Sequence, residues 1–286
     1  MRDIARARAK LAVALAGLGL LGSLSGPAAA GPASIGTIFG TPHIGGRITA
    51  GDLDEVRRDL TGHFDKPMML RVDPASHGAE VMRIGLWLRE QQPEIRLRDT
   101  CVGACAWFML DSGRSLQVAK GTVIAFGAYA ELWATIEIQL DRGDLTIDDE
   151  RSRASIQSFK DRVPAAVWKD AAALREARLT QARAPAWVQD FVMSSTSLAV
   201  EQLARDEKDF NFRVYTSPHR CIWWVPDAEG MRQLGLSVPD YVPPDAARAA
   251  KALGVPAKVI YIGPALRELP STALCEGDPT VKLHLP

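Results

Sequence analysis

Two short segments of the sequence carry side chains that could do nucleophilic chemistry. Ser76 and His77 are adjacent in a stretch rich in turn-forming residues, and Cys101 lies four positions before Cys105. A hydroxyl or thiol acts as a nucleophile when a base lies within hydrogen-bonding reach, and a thiol also needs a lowered pKa. Ser76 and Cys101 are therefore candidate nucleophiles and His77 is a candidate base. The competing interpretations are an exposed turn position for His77 and an oxidised sulfur for Cys101.

The first 30 residues have the order of a secretory signal. Four basic residues lie before an uncharged run over residues 11–24, and Gly26-Pro27-Ala28-Ala29-Ala30 follows this run. This is the charged region, apolar region and small-residue cleavage site of an export signal. The run is shorter than the roughly 20 apolar residues that a membrane span requires. We predict a signal peptide over residues 1–30, a periplasmic or secreted mature protein, and no membrane span after cleavage.

The cysteine count fits an exported protein. The four cysteines allow three disulfide connectivities, which the sequence alone leaves open. On a helix, Cys101 and Cys105 would have their Cα atoms about 6 Å apart, near the long end of the bridgeable range. A bond between Cys221 and Cys275 is favoured, because a long loop gains most from closure. The Cys-x3-Cys spacing is not that of a zinc site, so we predict no metal and no cofactor.

The charge balance excludes some classes of partner. Removal of residues 1–30 takes away four basic residues and one acidic residue and leaves 30 basic and 33 acidic side chains. A nearly neutral chain has no electrostatic reason to bind nucleic acid or an anionic membrane surface. The predicted partner is an unidentified protein or peptide.

The chain alternates between strand-like and helical patterns over residues 45–127, which predicts βαβ units and a largely parallel sheet. Residues 128–209 are predicted to form a polar, alanine-rich helical insertion. Trp223 and Trp224 are interpreted as core packing beside Cys221, with a ligand cleft as the alternative. The expected helices cover residues 54–64 and 81–88, and the expected strands cover 68–72, 95–97, 123–126, 210–215, 222–225 and 259–262.

The motifs in this region follow one another in a distinctive order. They are Ile48-Thr49-Ala50-Gly51-Asp52, Ala75-Ser76-His77-Gly78-Ala79, Ile84-Gly85-Leu86-Trp87-Leu88-Arg89, Cys101-Val102-Gly103-Ala104-Cys105-Ala106, Ser112-Gly113-Arg114 and Ile124-Ala125-Phe126-Gly127. Their order and spacing resemble the ClpP/crotonase superfamily, most closely its exported bacterial ClpP-like branch. In those proteins a Ser-x-Gly-Gly turn, a Cys-x-Ser-Ala-Cys-Ala segment and a strand ending in Gly-Phe-His follow in the same order.

The resemblance implies an α/β fold, a ClpP/crotonase-like spiral of ββα units with a helical extension. It places an N-terminal linker at residues 31–44 and the ClpP/crotonase-like domain at 45–240, with the insertion at about 128–209. Residues 241–286 are expected to be a proline-rich tail. Relatives assemble through such extensions, so the resemblance also implies that copies of this chain form a homo-oligomer.

The resemblance assigns an oxyanion hole, formed by two backbone N–H groups, to Gly78 and Ala104. The nucleophilic serine of the family falls on Gly103, and its general-base histidine falls on Gly127. Glycine supplies neither a nucleophile nor a proton acceptor. Ala79 replaces the second glycine of the turn and narrows the hole.

These replacements predict a ClpP-like protein without serine-peptidase activity that acts as a binding or scaffolding protein. One alternative is a hydrolase or peptidase with a relocated Ser or Cys nucleophile. A second is stabilisation of an enolate by the backbone N–H groups, as in crotonase relatives, although acyl-CoA is not expected outside the cytoplasm. Whether the protein is an enzyme is left open at this point.

Overall fold

The computed structural model describes residues 31–127, 164–196, 199–203, 211–215, 221–276 and 281–284. This part of the chain is mixed α/β with a mostly parallel main sheet. Within it, no helix is long and apolar enough to cross a membrane. The predicted signal peptide and residues 128–163 of the predicted insertion lie outside the described residues.

The described strands, in chain order, are β1 (Ser34–Ile38), β2 (Thr41–Gly46), β3 (Met68–Val72), β4 (Glu94–Leu97), β5 (Thr100–Val102), β6 (Ser115–Val118), β7 (Val123–Ala125), β8 (Ala199–Leu203), β9 (Asn211–Tyr215), β10 (Trp223–Pro226), β11 (Ile260–Gly263) and β12 (Val281–His284). The described α-helices are α1 (Asp52–Leu60), α2 (Gly78–Gln91), α3 (Ala104–Phe108), α4 (Ala165–Gln181), α5 (Ala186–Ser195), α6 (Ala228–Gln233) and α7 (Ala246–Leu253).

The main sheet has the strand order β1-β2-β3-β4-β6. Strands β2, β3, β4 and β6 are parallel, and β1 pairs with β2 as an antiparallel hairpin. Helices α1 and α2 are the crossovers that parallel neighbours require. Helix α1 begins at Asp52, because the Asp52 carboxylate accepts hydrogen bonds from the N–H and the hydroxyl of Thr49 at 2.7 and 3.1 Å.

Three smaller sheets complete the described strands. Strands β5 and β7 form one parallel pair, and β10 and β11 form another. Phe126 and Trp224 exchange two backbone hydrogen bonds of 2.8 Å, which join the two pairs. The third sheet is antiparallel, in the order β12-β9-β8.

The core lies under the main sheet and continues towards β10. Leu70, Ile84, Leu88 and Ile95 are fully buried there. Helix α3 crosses α2 closely: a Cβ added at Gly85 would lie 2.6 Å from the carbonyl oxygen of Phe108. Glycine at residue 85 therefore sets how near the two helices approach.

Two of the expected boundaries are wrong. The segment expected to be a linker, residues 31–44, contains β1 and most of β2, because strand pairing satisfies its backbone. The segment expected to be a proline-rich tail, residues 241–286, contains α7 and β11, and β11 pairs with β10. Its described prolines lie outside these two elements. The expected insertion is helical in α4 and α5, whereas 199–203 form a strand.

Candidate functional site

The loop between β3 and α2 is held by its own polar groups. Asp73 Oδ1 accepts a hydrogen bond from the N–H of Ala75 at 2.7 Å. Ser76 Oγ accepts one from the N–H of Ile48 at 3.0 Å. Ser76, a candidate nucleophile from the sequence, thus ties the loop to the chain that follows β2.

His77 caps the N-terminus of α2. Its Nδ1 accepts a hydrogen bond from the N–H of Glu80 at 3.3 Å, and its Nε2 lies 3.4 Å from a carboxylate oxygen of Asp170 on α4. A nitrogen that accepts from the backbone is not available to take a proton without losing the cap. Both ring nitrogens of the candidate base His77 therefore contact groups other than Ser76.

The turn between β5 and α3 has an unusual backbone. Gly103 lies at φ 56° and ψ −121°, and Ala104 begins α3. The N–H of Gly103 donates to the carbonyl of Ala125 on β7 at 3.0 Å, which fixes the turn against the neighbouring strand. A sharp strand-to-helix turn of this kind is what presents a nucleophile in hydrolase folds. In this chain the residue at the turn is Gly103, which has no side chain.

The strands that lead into the two turns, β3 and β5, contact each other. The hydroxyl of Thr100, at the start of β5, donates to the carbonyl of Val72 at the end of β3, at 2.8 Å. Gly78 and Ala104 are the first residues of their helices, so their N–H groups lack intrahelical acceptors. No described residue accepts a hydrogen bond from either N–H. Two donors without an acceptor among the described residues therefore stand at the positions that the resemblance assigns to the oxyanion hole.

A disulfide joins Cys101 to Cys105 and spans the turn at Gly103. The two cysteines are 0% and 1% exposed. The candidate thiol nucleophile at Cys101 is therefore contradicted by this structure, because its sulfur is in a buried disulfide and cannot form a thiolate. The second disulfide joins Cys221 to Cys275, so no cysteine of the chain is free. Two disulfides are consistent with an oxidising compartment.

Residue 127 lies in a filled part of the structure. A Cβ added to Gly127 would be 2.6 Å from the carbonyl oxygen of Ile222 and 2.9 Å from the ring of Trp223. Trp223 is 5% exposed, so its ring belongs to the packed interior, as the sequence interpretation expected. Backbone and a large buried ring thus occupy the space that a histidine side chain at position 127 would need.

A charged network ties the first turn to the helical extension. Glu80, which is 3% exposed, accepts a hydrogen bond from the N–H of Leu53 at 2.8 Å. Arg83 bridges Glu80 and Asp170, at 2.9 and 2.5 Å. Burial lowers the pKa of Arg83, but hydrogen bonds to the two carboxylates outweigh this and raise it. The network fixes α2 against α4 beside the capping His77.

Elsewhere in the described residues, a cleft of about 280 Å³ is lined by Arg47, Thr49, Asp52, Glu55 and residues 31–33. None of the four family positions lines it. No cluster of His, Cys, Asp or Glu within the described part of the chain is arranged to hold a metal ion.

Sequence reasoning missed the contribution of Asp170 and the packing of Trp223 at residue 127. Asp170 lies in an alanine-rich helix 87 residues after Arg83, where no local pattern marks it. The position of Glu80 could have been predicted from the local sequence, because a carboxylate in the first turn of a helix stabilises the helix N-terminus.

Comparison of the chain with models of protein families, with curated proteins and with solved structures finds no match. The likeness to ClpP-like proteins therefore stands on the order of the sequence motifs.

Proposed function

We propose that this chain is an exported protein of the ClpP-like type that has no serine-peptidase activity and works by binding a protein or peptide. The proposal includes the ClpP/crotonase-like spiral with its helical extension, a periplasmic or secreted location, and assembly into a homo-oligomer.

The observation that carries this proposal is the packing at Gly127. In a serine peptidase of this type, a base must stand beside the nucleophile and take its proton. At position 127 the carbonyl of Ile222 and the ring of Trp223 leave no room even for a Cβ. The loss of the base is thus accompanied by a change in packing, and a single substitution would not restore it.

The retained backbone favours binding over a purely structural role. The turn at Gly103 still has φ 56° and ψ −121°, and the buried disulfide from Cys101 to Cys105 holds it. Gly78 and Ala104 still present N–H groups without acceptors among the described residues. Such donors at two helix N-termini suit a carbonyl or carboxylate oxygen of a peptide.

Labelling with an active-site probe tests the loss of peptidase activity. The chain from residue 31, purified with its disulfides intact, is treated with a fluorophosphonate and examined by mass spectrometry. We expect no labelled serine, and we expect Gly103→Ser to remain unlabelled because no base is present. Labelling of a serine in the folded wild-type chain, but not in the unfolded chain, would overturn the proposal. The result would be most direct if the label mapped to Ser76.

A second variant tests whether the absent side chains alone, or also the packing at residue 127, prevent peptidase activity. Gly103→Ser combined with Gly127→His restores both family residues, but the histidine must displace Trp223. We expect this double variant to unfold more readily than Gly103→Ser and to stay inactive, because overpacking a core costs about 1–3 kcal/mol. Hydrolysis of a casein substrate by the double variant would show that the packing at residue 127 is not the obstacle.

A further inference from the structure

One face of the main sheet is buried, and the other face is exposed at the arginines of β3 and β4. Leu70, Ile95 and Leu97 point into the core and are fully buried. Arg71 and Arg96 alternate with them along β3 and β4 and are exposed, and exposed Arg98 directly follows β4. We call the surface formed by Arg71, Arg96 and Arg98 the arginine face.

An exposed face is unusual for strands that are parallel to one another. Sheets of parallel strands are generally covered on both sides, whereas antiparallel sheets commonly face water on one side. Strands β2, β3, β4 and β6 are all parallel. Where their outer side is exposed, among the residues that the structure describes, it therefore has the character of a surface that another molecule covers.

Two of the three guanidinium groups of this face have a partner, and of the three only that of Arg71 is paired with a described carboxylate. Arg71 pairs with Asp99 at 2.6 Å, and Arg96 donates to the side-chain oxygen of Gln117 at 3.0 Å. Arg98 has no ion-pair or hydrogen-bond partner for its side chain among the described residues. Arg71 and Arg96 are pre-positioned by these contacts and lose little entropy on binding, and arginine is enriched in interfaces.

The spacing of the arginines fits one kind of partner. Arg96 and Arg98 are two residues apart along an extended chain, which places their stems about 6.6 Å apart. Arg71 and Arg98 each follow the paired residues Leu70 and Leu97, so their stems are on neighbouring strands about 4.8 Å apart. Alternate side chains of an extended peptide have nearly the same separation, and guanidinium groups bind carboxylates in a bidentate way.

We propose that the arginine face binds an extended acidic segment of a partner protein, with carboxylates at alternate positions. This inference rests on the proposed function, because it names the partner chemistry of a binding protein. A second copy of the chain packed on the same face would bring like charges together and is disfavoured.

The test uses the wild-type chain from residue 31 and a fluorescein-labelled peptide of six Glu-Thr repeats. Anisotropy titrations are made at 20 and 300 mM NaCl, with peptides of Gln-Thr and Lys-Thr repeats as composition controls. We expect binding of the Glu-Thr peptide alone, weakened at the higher salt. The double variant Arg96→Gln with Arg98→Gln should weaken binding about tenfold, because two exposed ion pairs with the peptide are lost.

Arg232→Gln is the matched control, because this exposed arginine lies on α6 outside the main sheet. It should bind the peptide as the wild type does, and all variants should melt like the wild type. Absence of binding at 20 mM NaCl, or equal binding by the double variant, would overturn the arginine face. So would arginine-dependent binding to phosphatidylglycerol vesicles without binding to the peptide, or an arginine-dependent dimer in sedimentation. A chain that fails these titrations but resists fluorophosphonate leaves the proposed loss of peptidase activity intact.

Discussion

At Gly103 and Gly127, single residues decide what chemistry the fold can do. A side chain at position 103 would have to adopt φ 56° and ψ −121°, a region that costs about 1–3 kcal/mol for residues other than glycine. Peptidases accept such strain in exchange for a placed nucleophile. Glycine at position 103 avoids this strain and supplies no nucleophile. The buried Trp223 ring beside Gly127 occupies the space that a larger side chain would need.

Tyr241 makes the stability of the folded chain sensitive to alkaline pH. Its hydroxyl is buried and has no hydrogen-bond partner among the described groups. Burial, aided by the charge of Asp227, raises the pKa of Tyr241 above the usual value of about 10. As the pH rises above about 10, the unfolded chain loses this proton while the folded chain keeps it, so the stability falls. Below that pH the group contributes no pH dependence.

Tyr241→Phe should flatten this decline. We expect the free energy of unfolding at pH 7 to stay the same or rise by up to about 1 kcal/mol, because a buried hydroxyl without a partner is removed. Urea unfolding of the two chains at pH 7, 9, 10.5 and 11 measures the effect. Tyr261→Phe is the comparison at pH 7 alone, where the loss of the hydrogen bond from its hydroxyl to the carbonyl of Pro264 should lower the free energy of unfolding. Burial also raises the pKa of Tyr261, so this variant too should flatten the alkaline decline. A loss above about 1.5 kcal/mol at pH 7 in Tyr241→Phe would mean that its hydroxyl has a partner.

At the scale of elements, apolar patterns located the central strands well. The strand expected over residues 68–72 is β3 (Met68–Val72), and the helix expected over 54–64 is found at Asp52–Leu60. The β1–β2 hairpin was missed because its turn lacks the usual signal. Phe39 and Gly40 both have positive φ, at 50° and 70°, where asparagine followed by glycine is the common pair.

The candidate site was predictable only where it is local. The turns that begin α2 and α3 follow from motifs within a few residues of Gly78 and Ala104. The contact of Trp223 with residue 127 and that of Asp170 with His77 join segments far apart in the chain. A single sequence gives no information on such pairs, because they depend on how the elements pack.

The contact between α2 and α4 should show measurable coupling. Arg83 and Asp170 are 39% and 21% exposed, so their ion pair is only partly screened by water. We expect a double-mutant cycle of Arg83→Ala and Asp170→Ala to give a coupling free energy of about 0.5–1.5 kcal/mol in urea unfolding. The exposed pair of Arg114 and Glu94, 56% and 37% exposed, is the matched control and should couple less. Equal coupling in the two pairs would show that the network does not fix α4.

For the whole molecule, the C-terminal segment is an integral part of the fold. Strand β11 pairs with β10. Trp224 of β10 is joined by backbone hydrogen bonds to Phe126, which directly follows β7. The disulfide from Cys221 to Cys275 closes the loop that contains both β10 and β11. A chain that folds in an oxidising compartment can use such bonds to limit the entropy of its unfolded state.

The two disulfides should therefore contribute unequally. The bond from Cys221 to Cys275 spans 54 residues, and the bond from Cys101 to Cys105 spans four. Loop-closure entropy predicts a loss of about 4 kcal/mol for Cys221→Ala with Cys275→Ala, and about 2 kcal/mol for Cys101→Ala with Cys105→Ala. Guanidinium unfolding of the oxidised chain and the two double variants measures both. The reverse order would show that the short bond stabilises the turn at Gly103 through packing in the folded state, since chain entropy cannot favour the shorter loop.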